Sequence, residues 1–104
     1  MERKFSITMH APLGVRHGTM SFNEENSEIN GTLELLGSKG TFKGTIAEDG
    51  TVEFSGEMTS RLHSFSYFAN GTIIHSALKL NVSGDRYSFC ITGEEINLKK
   101  GDTI

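Results

Sequence analysis

The side chains best suited to metal binding in this sequence are its four histidines. The strand pattern described below places His10 and His17 on the outer face of the first hairpin, as diagonal neighbours about 7–8 Å apart. No His-x-His or Cys-x-x-Cys spacing supports them, and no carboxylate lies at an obvious third-ligand position. We therefore interpret them as solvated surface side chains, and His63 and His75 as outward or rim residues. No metal and no cofactor is predicted.

The single cysteine, Cys90, is the strongest candidate nucleophile. It alternates with Phe89 and Ile91, which predicts an outward thiol opposite Lys79, and a nearby cation can lower a thiol pKa. No histidine is predicted beside it, and the sequence has no nucleophile-elbow or triad context. The Gly-rich segments do not form a strand–loop–helix phosphate cradle. No catalytic residue is predicted, although enzymatic activity stays open.

Charge and composition narrow the classes of partner and the compartment. The net charge is −3, and lysine and arginine are scattered along the chain, so we expect neither nucleic-acid nor membrane-surface binding. A lone cysteine permits no intrachain disulfide and fits a reducing compartment. The N-terminal residues alternate between polar and apolar types and lack the apolar run of about 7–15 residues that a secretory signal needs. The expected location is the cytoplasm.

The sequence predicts that these side chains lie on β-strands. Apolar residues recur at every second position, as in Phe5, Ile7 and Met9, which is the period of a strand with one buried face. Turn-forming residues interrupt these runs, and no helical spacing is found. The predicted strands are 3–10, 15–23, 28–36, 41–47, 51–60, 63–69, 72–83 and 86–93. Their even number allows the first and last to pair and close an up-and-down barrel; a two-sheet sandwich is the alternative.

Loop lengths predict a register for each of the seven hairpins, because opposite residues of an antiparallel pair share a face. We predict four-residue loops at 11–14, 24–27 and 37–40, a three-residue loop at 48–50, and two-residue turns at 61–62, 70–71 and 84–85. The first three loops set Ile7 opposite Gly18, Phe22 opposite Ile29, and Leu35 opposite Phe42. The others set Ile46 opposite Val52, Met58 opposite Phe65, Tyr67 opposite Ile74, and Val82 opposite Tyr87.

Four inward glycines, Gly18, Gly31, Gly44 and Gly56, follow one another at intervals of 13, 13 and 12 residues. Each is expected to lie between bulky cross-strand neighbours: Gly18 between Ile7 and Leu33, Gly31 between Met20 and Ile46, Gly44 between Leu33 and Phe54, and Gly56 between Phe42 and Tyr67. We favour the interpretation that they let the strands coil sharply while aromatic rings cover the bare backbone. The alternative is that their missing side chains leave a ligand cavity.

Short motifs around these glycines resemble a known group. They are Pro12-Leu13-Gly14 with Gly18-Thr-Met-Ser-Phe22, Gly40-Thr-Phe-Lys-Gly44, and Gly50-Thr-Val-Glu-Phe-Ser-Gly56. Over about residues 3–93 they are similar to small bacterial proteins regarded as calycin-like barrels, akin to lipocalins and streptavidin. The resemblance implies an all-β, eight-stranded antiparallel up-and-down barrel and no particular reaction. We expect residues 1–93 to form this single domain and residues 94–104 a polar tail.

Inward aromatic and methionine side chains form the predicted site, since such residues either fill a core or line an apolar pocket. The candidate ligand-binding residues are Phe5, Met20, Phe22, Phe54, Met58, Phe65, Tyr67, Tyr87 and Phe89. The two tyrosine hydroxyls are the expected polar contacts. The leading hypothesis is a non-catalytic barrel that binds a small apolar or aromatic molecule. The alternatives are a self-associating structural or accessory domain with a filled core, and a barrel enzyme without a recognisable motif.

Outward apolar residues suggest a second kind of contact. Leu36, Phe68 and Ile73 are predicted to break the rule that outward positions are polar, with Phe68 and Ile73 as diagonal neighbours. Because an exposed apolar patch often marks a subunit interface, the sequence predicts a homodimer.

Overall fold

A computed structural model describes residues 2–11, 14–35, 37–60, 64–84 and 87–96. These residues form eight strands: β1 (Glu2–Ala11), β2 (Gly14–Glu25), β3 (Glu28–Leu35), β4 (Ser38–Ile46), β5 (Thr51–Ser60), β6 (Ser64–Ile74), β7 (Ala77–Ser83) and β8 (Ser88–Glu95). Each pairs antiparallel with its sequence neighbours, and β1 also pairs with β8. The predicted all-β, up-and-down closed barrel is confirmed, and the sandwich is wrong. Within the described ranges no helix is long and apolar enough to cross a membrane.

Alternating side chains separate an apolar interior from a polar exterior. In β7, for example, Leu78, Leu80 and Val82 are buried, whereas the intervening Lys79 and Asn81 are exposed. The buried residues of the described chain are all hydrophobic. Closure gives each of the eight described strands two partners, so none of these strands has an edge open to a foreign strand.

Three of the seven predicted registers are confirmed. The first, fourth and fifth hairpins pair Ile7 with Gly18, Ile46 with Val52, and Met58 with Phe65. In the fourth, Gly50 has a φ of 96°, and its N–H donates to the Ala47 carbonyl at 3.0 Å. Glycine adopts this left-handed conformation without steric cost, as the predicted three-residue turn requires.

The registers of the second and third hairpins are wrong. Phe22 pairs with Gly31 rather than Ile29, because the turn is the two residues Asn26 and Ser27, with φ values of 56° and 69°. Positive φ at both central residues matches the twist of the flanking strands. In the third hairpin Leu35 pairs with Ser38 rather than Phe42, so β4 begins three residues earlier than predicted.

The sixth hairpin differs most. Asn70 and Gly71 lie inside β6, paired with β5, and the chain reverses after Ile74, where His75 has a φ of 58°. Tyr67 is therefore not opposite Ile74. Ile73 pairs with Leu78 and is buried, whereas Ile74 is 53% exposed; the prediction that Ile73 points outward is wrong.

The seventh predicted register is also wrong. Val82 pairs with Phe89 rather than with Tyr87. Gly84 donates its N–H to the Tyr87 carbonyl at 3.0 Å, so these two residues face each other across the hairpin.

The seam between the first and last strands carries an ion-pair cluster. The Arg3 guanidinium donates to both carboxylate oxygens of Glu95, from Nε at 3.0 Å and from Nη2 at 2.8 Å, and lies 3.7 Å from Glu24. Glu94 and Glu95, which the sequence places in the polar tail, are thus part of β8, while residues 97–104 fall outside the described ranges. Arg3 thus links β1 to β8 at the seam where the barrel closes.

Phenylalanine rings fill one half of the interior. Phe42 and Phe54 have ring centroids 4.2 Å apart, and Phe22 lies 6.5 Å from Phe42. Gly31, between Phe22 and Phe42, has room for no side chain, because an added Cβ would lie 2.6 Å from the Cβ of Phe22. This close approach supports the interpretation that rings cover bare backbone.

The predicted neighbours of the ladder glycines are right only in part. Gly56 lies between Phe42 and Tyr67, as predicted. The register shifts change the neighbours of the other three. Gly18 lies between Ile7 and Leu35, and not beside Leu33. Gly31 lies between Phe22 and Phe42, and Gly44 lies between Ile29 and Phe54, so the predicted contacts of Gly31 with Met20 and Ile46 and of Gly44 with Leu33 are wrong.

Candidate ligand-binding site

A cavity of about 500 Å³ occupies the other half of the barrel, at the end where β1, β3, β5 and β7 finish. Its volume falls within the range of small-molecule pockets, about 300–1,000 Å³. Its wall is mainly apolar and includes Leu33, Leu35 and Val82. A groove over the outer face of β3, β4 and β5 is shallower and has exposed polar residues such as Asn30 and Lys43 on its walls. We therefore place the candidate site inside the barrel.

Five of the nine predicted site residues line this cavity: Met58, Phe65, Tyr67, Tyr87 and Phe89. The other four are buried in the core and do not line it: Phe5, Met20, Phe22 and Phe54. Gly18, Gly31, Gly44 and Gly56 are likewise absent from its wall. The cavity therefore lies at the strand ends, beyond the phenylalanine-filled half, and Gly31 and Gly56 instead line the outer groove.

The Tyr67 hydroxyl is the most unusual polar group of the site. Tyr67 is only 4% exposed, and its hydroxyl has no hydrogen-bond partner in the described part of the chain. Its ring is fixed edge-on against Phe54 at a centroid distance of 6.2 Å. Burial, with a smaller contribution from the nearby Tyr87, raises the pKa of the Tyr67 phenol well above its usual value. The group is therefore a neutral hydroxyl at physiological pH, able to donate one hydrogen bond.

Three neighbouring aromatic rings form one side of the cavity. Phe65 meets Tyr87 edge-on at 5.5 Å, and Tyr87 stacks on Phe89 at 5.8 Å between ring centroids. The Tyr87 hydroxyl donates to the Ser66 carbonyl at 3.4 Å. Of the two hydroxyls expected as polar contacts, that of Tyr87 is thus engaged by the barrel wall, whereas that of Tyr67 is not.

Sequence reasoning missed the polar rim of the cavity. Arg16, Ser38, Ser60 and Ser88 all line it, and Arg16 is its one charged residue among those the structure describes. Arg16 lies in β2 directly opposite Met9 and is exposed. The sequence does contain a signal for Arg16. It has the same parity as the inward residues Gly18 and Met20, so a charged residue occupies a position where the alternation predicts an apolar side chain.

The predicted surroundings of Cys90 are wrong in two respects. Cys90 is exposed as expected, but it pairs with Asn81 rather than Lys79, and its thiol donates to the Asn81 Oδ1 at 3.6 Å. On its other side, His10 lies directly across from it in β1. His10 Nε2 is 3.0 Å from the Thr92 hydroxyl.

The remaining histidines do not gather around this pair. His17 is exposed on β2, with Nδ1 3.2 Å from the Thr8 hydroxyl, and His75 lies at the β6–β7 turn. His63 lies outside the described residues. Across the described ranges, no three His, Cys, Asp or Glu side chains are grouped so as to hold a metal ion.

The predicted outward apolar patch is smaller than expected. Phe68 is 43% exposed, but Ile73 is in the core and Leu36 lies outside the described residues. The pairing of Phe68 with Ile73 is therefore lost, and the homodimer stays a prediction.

The chain matches no protein-family model, no curated protein and no solved structure. The cavity is therefore the feature of the molecule that points to a function.

Proposed function

We propose that this protein is a non-catalytic barrel that binds a small apolar or aromatic molecule carrying a hydrogen-bond acceptor. The observation that carries the proposal is a buried, unpartnered phenol, that of Tyr67, in the wall of an apolar cavity. A buried hydroxyl without a partner typically costs about 1–3 kcal/mol. A ligand that reaches this hydroxyl and accepts its hydrogen bond would recover that free energy when it binds.

The rest of the wall supports an apolar ligand. The rings of Phe65, Tyr87 and Phe89, of which Tyr87 and Phe89 stack and Phe65 lies edge-on, offer aromatic contacts that favour an aromatic ligand. Met58 adds a flexible thioether that adapts to irregular shapes. The described lining contains no carboxylate, imidazole or thiol, which are the groups that most often serve as acid, base or nucleophile. These features favour a binder over an enzyme.

The same proposal includes a family and a compartment. Eight antiparallel strands in up-and-down order support membership of the calycin-like barrels. The single cysteine supports a cytoplasmic location, where thiols stay reduced.

The test is titration of the purified protein with N-phenyl-1-naphthylamine, a neutral aromatic dye whose fluorescence rises in apolar surroundings. A ligand of this size should bind with a Kd on the order of 1–100 µM. Ser38→Trp places an indole in the cavity wall and should weaken dye binding at least about tenfold. The matched control is Ser55→Trp, on the exposed outer face of β5.

Circular dichroism establishes that both variants keep the barrel. Equal affinity of wild type, Ser38→Trp and Ser55→Trp would place the dye outside the cavity and overturn the proposal. The absence of dye binding to the wild type would do the same.

A further inference from the structure

Arg16 is the feature that the proposed function leaves unexplained. It stands at the rim of an otherwise apolar and hydroxyl-lined cavity. In the described part of the chain both ion pairs belong to Arg3, and Arg16 has no carboxylate partner. An inward-facing arginine at the mouth has no role in closing the barrel or filling its core.

We propose that Arg16 makes the cavity selective for amphipathic monoanions, molecules with an apolar or aromatic body and one carboxylate or sulfonate group. The inference rests on the proposed function, because it names the class of ligand for the same cavity. The body would lie against Phe65 and Phe89, and the anionic group would remain at the rim beside the guanidinium.

The physical argument begins with the cost of burying charge. The cavity wall holds neutral hydroxyls and apolar side chains, so an anion placed in its depth would lose hydration without a compensating charge. At the rim, by contrast, an exposed guanidinium can pair with the anion while water still reaches both. The planar fork of arginine matches two oxygens of a carboxylate or sulfonate at once.

The protein's net charge does not oppose this selection at short range. The chain carries −3 overall, but exposed charges farther away than about 8–10 Å are largely screened at physiological ionic strength. Arg16 lies at the rim itself, where a bound anionic group would be in contact with it. The same guanidinium would repel a cationic ligand, so the site discriminates between ligands by the sign of their charge.

Two dyes with a shared aromatic body test the inference. 1-Anilinonaphthalene-8-sulfonate carries the same phenyl-naphthylamine framework as the neutral dye, with one sulfonate added. Arg16→Gln should weaken binding of the sulfonate dye about three- to tenfold, as expected for a partly exposed, charge-assisted contact. The neutral dye should change less than about twofold. Arg16→Lys, which keeps the charge but loses the fork, should fall between wild type and Arg16→Gln.

Two controls separate a local from a general charge effect. Lys79→Gln removes the same charge from the exposed outer face of β7 and should change neither affinity. Raising the salt concentration should weaken only the sulfonate dye. Ser38→Trp should weaken both dyes, which places both in the cavity.

The outcomes separate the two proposals. If the neutral dye binds normally, and wild type and Arg16→Gln bind the sulfonate dye equally well, the role of Arg16 is overturned and the proposed function stands. Equal losses in Arg16→Gln and Lys79→Gln would also overturn the role of Arg16. If neither dye binds the wild type, the proposed function fails and this inference with it.

Discussion

Replacing Tyr67 by Phe should stabilise the ligand-free protein, although most substitutions of buried residues destabilise. The change removes only the hydroxyl, which has no hydrogen-bond partner among the described residues. The ring would keep its edge-on contact with Phe54. In the variant, folding no longer buries a hydroxyl that loses its hydrogen bonds to water without replacing them, so the free energy of unfolding should rise.

The magnitude follows from the environment of the hydroxyl. An unsatisfied buried polar group costs about 1–3 kcal/mol. Tyr67 is 4% exposed but lines a cavity rather than solid core, which places the expected gain at the lower end, about 1 kcal/mol. For a domain of this size each kcal/mol raises Tm by about 4–8 °C.

The pH dependence gives a second readout. The usual tyrosine pKa is 10.0, and burial raises that of folded Tyr67. Above about pH 10 the phenol of the unfolded state ionises, while the buried phenol of the folded state stays neutral. The unfolded state then binds fewer protons than the folded state, so the free energy of unfolding falls as pH rises. The advantage of Tyr67→Phe over wild type should therefore grow above pH 10.

Urea denaturation of wild type, Tyr67→Phe and Tyr87→Phe would measure these differences. Tyr87→Phe is the matched control, because its hydroxyl donates to the Ser66 carbonyl; its loss should be neutral or destabilising by about 0–1 kcal/mol. If Tyr67→Phe is less stable than wild type, the Tyr67 hydroxyl has a hydrogen-bond partner in the folded chain and the expected gain is wrong.

Three further substitutions test the seam and the corrected sixth hairpin. Glu95→Gln should lower the free energy of unfolding by about 0.5–1 kcal/mol at pH 7. Arg3 lowers the pKa of Glu95 below its ordinary 4.5. The stability difference between wild type and Glu95→Gln should therefore persist above pH 4.5 and fade as pH falls further. An unchanged difference at pH 3 in urea denaturation would contradict the ion pair. Ile73→Ala should cost about 2–5 kcal/mol, and Ile74→Ala less than about 0.5 kcal/mol. Similar losses from both would show that β6 does not extend as described.

The strands and their faces could be predicted because alternation is a local signal. Every strand of the barrel shows it, and the second and third hairpins kept their inward residues although their registers were wrong. A shift of two or four residues leaves each side chain on the same face, so hydrophobic periodicity cannot detect it. The two-residue turn at Asn26 and Ser27 was therefore invisible to the pattern that located β2 and β3.

Turn signals misled where a strand ran through them. Asn70-Gly71 is a favourable pair for a tight turn, yet β6 pairs with β5 across both residues, and the chain turns at His75 instead. Long-range pairing outweighs local turn preference there. This displacement inverted the predicted faces of Ile73 and Ile74 and removed the basis of the expected apolar patch.

The candidate site was predictable by residue type but not by depth. Sequence parity identified inward side chains such as Phe22 and Phe89, but it cannot say which of them lie at the same height in the barrel. Height depends on the stagger of all eight strands, and therefore on the registers that the loops obscured. For this reason Phe22 was grouped with Phe89, although only Phe89 lines the cavity.

A barrel that is packed in one half and hollow in the other can be checked by nuclear Overhauser contacts between the bound neutral dye and assigned methyl groups. We expect contacts to Met58 and Val82, which line the hollow half, and none to Ile29 and Ile46, which are buried in the core outside the cavity lining. Contacts to Ile29 and Ile46, or to outward residues alone, would contradict a barrel that is packed in one half and open to a ligand in the other.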